Sequence, residues 1–164
     1  MLTAAAIARE HGVCVEVLDV RELNLPIFIP DREVEDFPPE QQAGIRYLLD
    51  VCRRSNAMVW STPTYHGTIS GVFKNAIDYI ELLAHDSRPY LQGSAVGLIA
   101  VNDSTPFTAM AHIAHELRAW LAPTQVMLTR AAFADDLTCT DERSNKRLAR
   151  LVNELLAFVK HRES

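Results

Sequence analysis

The sequence predicts an α/β domain built on a mostly parallel, doubly wound sheet. Apolar runs rich in Val, Ile and Leu alternate with helical patterns, the arrangement that βαβ units require. Three of the four runs are apolar almost throughout, as strands covered on both faces are. A chain of 164 residues is the size of one domain and can bury most of its apolar surface around a single core.

The four expected strands are Val13 to Val20, Ala57 to Pro63, Ala95 to Asn102 and Gln125 to Ala132. The first alternates Val13, Val15 and Val17 with Cys14, Glu16 and Asp19, which suits a strand near an edge. Helical spacing begins at Leu2 to His11, with Gly12 as the left-handed terminating residue. Glu40 to Arg54 follows Pro38-Pro39 and carries Ile45, Leu48, Leu49 and Cys52 as one stripe. After Ser70, an N-cap candidate, Val72, Phe73, Ala76, Ile77, Ile80, Leu83 and Ala84 share a broad face, and Lys74 and Asp78 form an exposed pair. A third helix follows Pro106, with Met110, Ile113, Ala114, Leu117, Trp120 and Leu121 facing inward. The last runs from about Asp141 to Lys160 on Leu148, Leu151, Val152, Leu155 and Val159.

Composition excludes several classes of function. A formal charge of -5 with scattered Lys and Arg argues against nucleic acid, since phosphate binding needs clustered cations. The adjacent pairs Arg53-Arg54 and Lys146-Arg147 read as solvated helix positions. No run approaches the roughly 18 apolar residues of a membrane span, and Met1 to Ala4 carries no basic leader signal, so a cytoplasmic protein without a membrane partner is expected. Three widely spaced cysteines, Cys14, Cys52 and Cys139, suit neither a disulfide framework nor a zinc site. Cys14 and Cys52 are expected to be buried and Cys139, in a polar turn, to be exposed.

The most informative stretch is Ser61-Thr-Pro-Thr-Tyr-His-Gly-Thr-Ile-Ser-Gly-Val-Phe-Lys-Asn-Ala-Ile-Asp78, a buried-type strand that runs through a Pro/Gly turn into a helix. At the carboxyl end of such a strand the backbone turns, its amides become free to donate, and ligands bind there. Residues 62–78 strongly resemble the NADPH-dependent FMN reductases of the flavodoxin-like fold, a family with quinone, chromate and azo-dye reductases among its members. Asp19-Val-Arg-Glu-Leu-Asn-Leu-Pro26 supports the resemblance, as do the spacing of Ala95 to Asn102 and the stretch Leu117-Arg-Ala-Trp-Leu121. It covers essentially the whole chain from Leu2.

The resemblance implies a single three-layer α/β/α domain over residues 1–164 and an enzyme that passes electrons from NAD(P)H through FMN to a small acceptor such as a quinone or free flavin. Hydride transfer would belong to the cofactors, and the protein would position them. The implied cofactor cradle is Pro63, Thr64, Tyr65, His66, Gly67 and Thr68, joined by Asn102 and Ser104 from the next loop. Backbone amides at Tyr65 to Thr68 would meet the flavin, Tyr65 would pack beside its ring and His66 would line the cleft. The family also implies a homodimer or homotetramer, with the helix after Gly71 as partner surface and Tyr79 and Leu82 outside its core-facing stripe. A flavin-binding electron carrier and a non-catalytic interaction domain stand as alternatives.

Three features depart from the family. Members begin with a strand and a Gly-Ser-type loop that wraps the FMN phosphate, whereas this chain opens on a helix, so we expect an N-terminally incomplete domain whose first strand is missing. Asp103-Ser-Thr-Pro-Phe107 stands where glycines are usual, and Thr64 where Glu is common. Elsewhere, His112, His115 and Glu116 lack the zinc-protease order and fall on a solvated helix face. Asp135-Asp136 reads as loop acid, and Ser61 and Ser104 lack the hydrolase elbow.

Overall fold

A computed structural model describes residues 1–136 and 138–163, the last of them by its backbone alone. The elements in chain order are α1 (Leu2–Glu10), α2 (Pro39–Arg54), β1 (Ala57–Pro63), α3 (Gly71–Asp78), β2 (Ala95–Val101), α4 (Pro106–Glu116), β3 (Trp120–Leu128) and α5 (Glu142–Glu163). Short 3-10 turns cover Val34–Asp36, Tyr79–Leu83 and Arg130–Ala132. The three strands form one parallel sheet in the order β1-β2-β3, with Ala57 beside Ala95 and Pro63 beside Val101.

Two apolar clusters sandwich the sheet. On one side α1 and α5 bring Ala4, Leu148, Leu151, Val152 and Leu155 against Ala95, Ile99, Val126 and Leu128. On the other, α2, α3 and α4 bring Ile45, Leu48, Leu49, Phe73, Ile77, Met110 and Ala114 against Trp60, Val96, Leu98 and Ala100. Strand residues 95–100 are all buried, as a strand covered on both faces must be. Gly97 lets α5 come close: a Cβ there would stand 2.8 Å from Leu151 Cδ1. Opposite it the register of β2 and β3 shifts, and Glu154 of α5 accepts the Thr124 N–H at 2.8 Å and the Thr124 hydroxyl at 2.7 Å. The carboxylate thereby satisfies a donor freed by the irregularity near Pro123.

Several expectations are corrected. Residues 13–19 join no ladder among the described residues and carry no regular structure, so the first expected strand, Val13 to Val20, is not formed. Cys14 is exposed and Cys139 is buried, the reverse of what was expected, while Cys52 is buried as expected. Cys139 turns inward because its backbone pairs with Phe133 across the turn before α5. The third helix ends at Glu116, since Arg118 adopts φ 62° and turns the chain. Trp120 and Leu121 consequently open β3 and are 63% and 38% exposed rather than inward on a helix. Tyr79 is fully buried, not a surface residue. The helix tightens from α to 3-10 after Asp78, which advances each side chain by a larger angle and swings Tyr79 onto Phe28 and Phe37.

Candidate functional site

The segment between β1 and α3 is pinned at its base, braced at its side and closed at its tip. At the base, the buried Thr62 hydroxyl oxygen accepts the Ser70 N–H at 3.1 Å. Ser70 in turn caps α3, its Oγ accepting the Phe73 N–H at 3.3 Å. These two small polar residues tie together chain positions eight apart, so the loop between them leaves and re-enters the domain at a fixed place. Both are buried, where an unpaired hydroxyl or amide would cost free energy.

At the tip, Tyr65 N–H donates to Thr68 C=O at 3.0 Å and Thr68 N–H donates to Tyr65 C=O at 3.1 Å. His66 and Gly67 lie between them with φ 50° and 78°. Positive φ at both central positions is the signature of a type I′ turn, and Gly67 supplies the second at little steric cost. The expected donors therefore divide. Tyr65 and Thr68 amides are spent on each other, whereas the His66 and Gly67 amides have no acceptor among the described residues. Tyr65 is 59% exposed at the rim, and His66, Gly67 and Thr68 are exposed beside it.

At the side, Pro63 closes the ladder opposite Val101, and Thr64 extends it by donating its N–H to Val101 C=O at 3.0 Å. The facing lip begins at Asn102, whose N–H donates to Leu128 C=O at 2.8 Å and whose φ is 88°. Ser104 is exposed and its carbonyl accepts the Phe107 N–H at the start of α4. Asp103 is fixed inside this lip: its Oδ1 accepts the Thr105 hydroxyl and, at 2.8 Å, the Thr105 N–H, which hold its carboxyl below the ordinary range. All eight expected residues thus meet at the carboxyl ends of β1 and β2, six on one lip and two on the other.

The sequence reading missed Asn75. It lies one turn into α3, where its side chain accepts the Phe28 N–H at 2.9 Å and donates to Pro26 C=O at 2.8 Å. Tyr79 Oη adds a bond to the same carbonyl at 3.2 Å. Residues 26–28 are thereby strapped to the helix that follows the turn. The signal was an amide, Asn75, set between the buried Phe73 and Ala76 of α3. His112, His115 and Glu116 are exposed on α4, as expected for its solvated face.

A pair of amides without an acceptor among the described residues, at the carboxyl end of a parallel sheet, suits a planar polar ligand. The family model described as NADPH-dependent FMN reductase matches residues 1–135. The chain belongs to that family. It is an oxidoreductase, with FMN as cofactor and NAD(P)H as electron donor. Among curated relatives, the FMN-dependent NADPH-azoreductase of Staphylococcus saprophyticus is 27% identical over 158 residues, covering 93% of this chain and 81% of that protein. That of Staphylococcus aureus strain USA300 is 25% identical, covering 92% and 81%. Among solved structures, FerB from Paracoccus denitrificans, a flavoenzyme NAD(P)H:(acceptor) oxidoreductase, shares the fold with a TM-score of 0.72 at 19% identity, over 98% of this chain and 87% of its own. RosB, solved with 8-demethyl-8-formylriboflavin-5'-phosphate, gives a TM-score of 0.74 at 14% identity, over 98% and 71%. The architecture is flavodoxin-like. Among the described residues no helix is long and apolar enough to cross a membrane.

Proposed function

We propose that the flavin ring of FMN is received between the two lips, at Pro63, Thr64, Tyr65, His66, Gly67 and Thr68 on one side and Asn102 and Ser104 on the other. The observation that carries this is the amide pair of His66 and Gly67, unpaired among the described residues and held in a turn that cannot easily reorganise. Donors fixed in advance stabilise charge that builds on a ligand better than donors that must move. The donor set fits the polar edge of an isoalloxazine, and the exposed Tyr65 ring fits its apolar flank. When bound, FMN supplies the hydride chemistry. This chain's residues orient the ring and hold donors against it.

The acceptor is proposed to be a small oxidant, a quinone, free flavin or azo compound, the last suggested by the staphylococcal relatives. We place the protein in the cytoplasm on the strength of its free cysteines. We also propose a homodimer or homotetramer through the α3 face, where Val72 is 49% and the strapped Ile27 76% exposed. A groove of about 300 Å³ floored by Phe28, Ile77, Ile113 and Leu117 adjoins that face. Finally, we propose that the domain takes one further parallel strand between β1, whose outer edge pairs with no strand among the described residues, and residues 13–19, which join no ladder among them.

FMN titration followed by fluorescence quenching and by amide shifts tests the site. Shifts concentrated at His66 and Gly67, together with NADPH oxidation in the presence of FMN, support the reading. Binding without NADPH oxidation marks an electron carrier, and absence of binding by the native gene product marks an interaction domain.

A further inference from the structure

The turn and the facing lip are each rigid within themselves. Residues 62–70 are held by the Thr62–Ser70 base and the mutual bonds of Tyr65 and Thr68. Residues 102–105 are held by Asn102 to Leu128, by Asp103 to Thr105 and by Ser104 to Phe107. Between the lips there is little. Among the described residues, no hydrogen bond joins 65–69 to 102–105. The bonds that cross at this level all start at Thr64.

The Thr64 hydroxyl lies 3.1 Å from Val101 C=O and 3.5 Å from Asp103 C=O. It has a single hydrogen, so it serves one acceptor at a time, with Val101 the better placed. Pro63, lacking an N–H, donates nothing to the last rung of the ladder. Thr64 therefore makes the final tie before the strands splay into the cleft.

We propose that Thr64 is a positioning residue whose hydroxyl sets the separation of the two lips, and so the placement of the His66 and Gly67 donors relative to a ring held between them. The inference rests on the flavin site proposed above. It assigns the amide and the hydroxyl of Thr64 to the protein frame, since both are engaged by β2 and the loop after it. A carboxylate at this position would accept only and could not donate to either carbonyl.

The test uses the full chain carrying Thr64→Val, which keeps the β-branched shape, and Thr64→Ser, which keeps the hydroxyl. Amide shifts of His66 and Gly67 are measured without flavin, then FMN affinity and the midpoint potential of bound FMN. Thr64→Val is expected to move both amide shifts, weaken FMN binding about tenfold, as loss of one well-placed hydrogen bond implies, and make the potential more negative. Thr64→Ser is expected to restore all three. Unchanged shifts in Thr64→Val overturn the proposal whether or not FMN binds. Moved shifts with no FMN binding even by the unaltered chain leave the tie standing and sink the flavin reading instead. Should Thr64→Val not fold, Thr64→Ala carries the same comparison.

Discussion

Residues 13–19 and β1 are both short and apolar-rich, yet only one is a strand of the sheet. Every residue of β1, Ala57 through Pro63, is matched to a residue of β2. Residues 13–19 are held instead by side chains: Arg9 donates to Val15 C=O, and Glu16 accepts from Tyr47 and Arg54 of α2. Val13 and Cys14 stay exposed as a result. Extended propensity belongs to a segment, but a ladder belongs to a pair, and the two regions separate these contributions within one molecule.

Amide hydrogen exchange gives the largest expected difference between them. Those β1 amides that bond to β2 should exchange only through global opening, whereas those of 14–18 should exchange near the rate of a solvated loop. For a domain of ordinary stability the gap is at least about a thousandfold. Comparable protection in the two segments would break the contrast. Adding the proposed further strand should instead raise protection at 14–18 and in β1 together.

Mutation sharpens it next. Thr62→Ala removes the oxygen that satisfies the buried Ser70 N–H and should cost about 1–3 kcal/mol in urea unfolding. Val15→Ala, in the part-exposed unladdered segment, should cost less than about 1 kcal/mol. Equal costs would mean that residues 13–19 carry packing that their exposure conceals. Gly67→Ala should fall between these, at about 1 kcal/mol, because φ 78° disfavours a side chain although nothing lies within 4 Å of the added Cβ. Its FMN affinity should fall as well if the tip shifts.

The contrast also explains what the sequence could and could not reveal. β1 and β2 were legible because continuous apolar runs bounded by a Pro/Gly turn have few other uses, and α2 was legible from Ile45, Leu48, Leu49 and Cys52, all buried. The start of β3 was not, because Leu117, Trp120 and Leu121 continue a helical spacing that only the left-handed Arg118 interrupts. Tyr79 was misplaced because a 3-10 turn alters side-chain phase without a distinct sequence signal. At the site, the segment was evident from its residues but its chemistry was not. That Tyr65 and Thr68 consume each other's amides, leaving those of His66 and Gly67 without an acceptor among the described residues, depends on backbone angles that several turn types would have met with the same four residues.

The smallest expected effect concerns the turn that ends residues 13–19. Asp19 accepts from Arg21 Nη2 at 2.5 Å and from Arg21 Nε and N–H, and these bonds lower its carboxyl from 3.8 to about 2. A depressed carboxylate stabilises the folded state above its unfolded value and loses that contribution as pH falls toward the folded value. The window is therefore pH 4 down to 2. The pair is well exposed, Arg21 by 77% at its side chain, so solvent and salt screen it and the stability change should be slight. The carboxyl carbon of Asp19 should titrate with a midpoint near 2 in the wild type and return toward 3.8 in Arg21→Gln. Any stability difference between the two should shrink as pH falls through that window and also on adding salt. A midpoint near 3.8 in the wild type would show that the turn is not held by this pair, and would leave the boundary of residues 13–19 to the backbone alone.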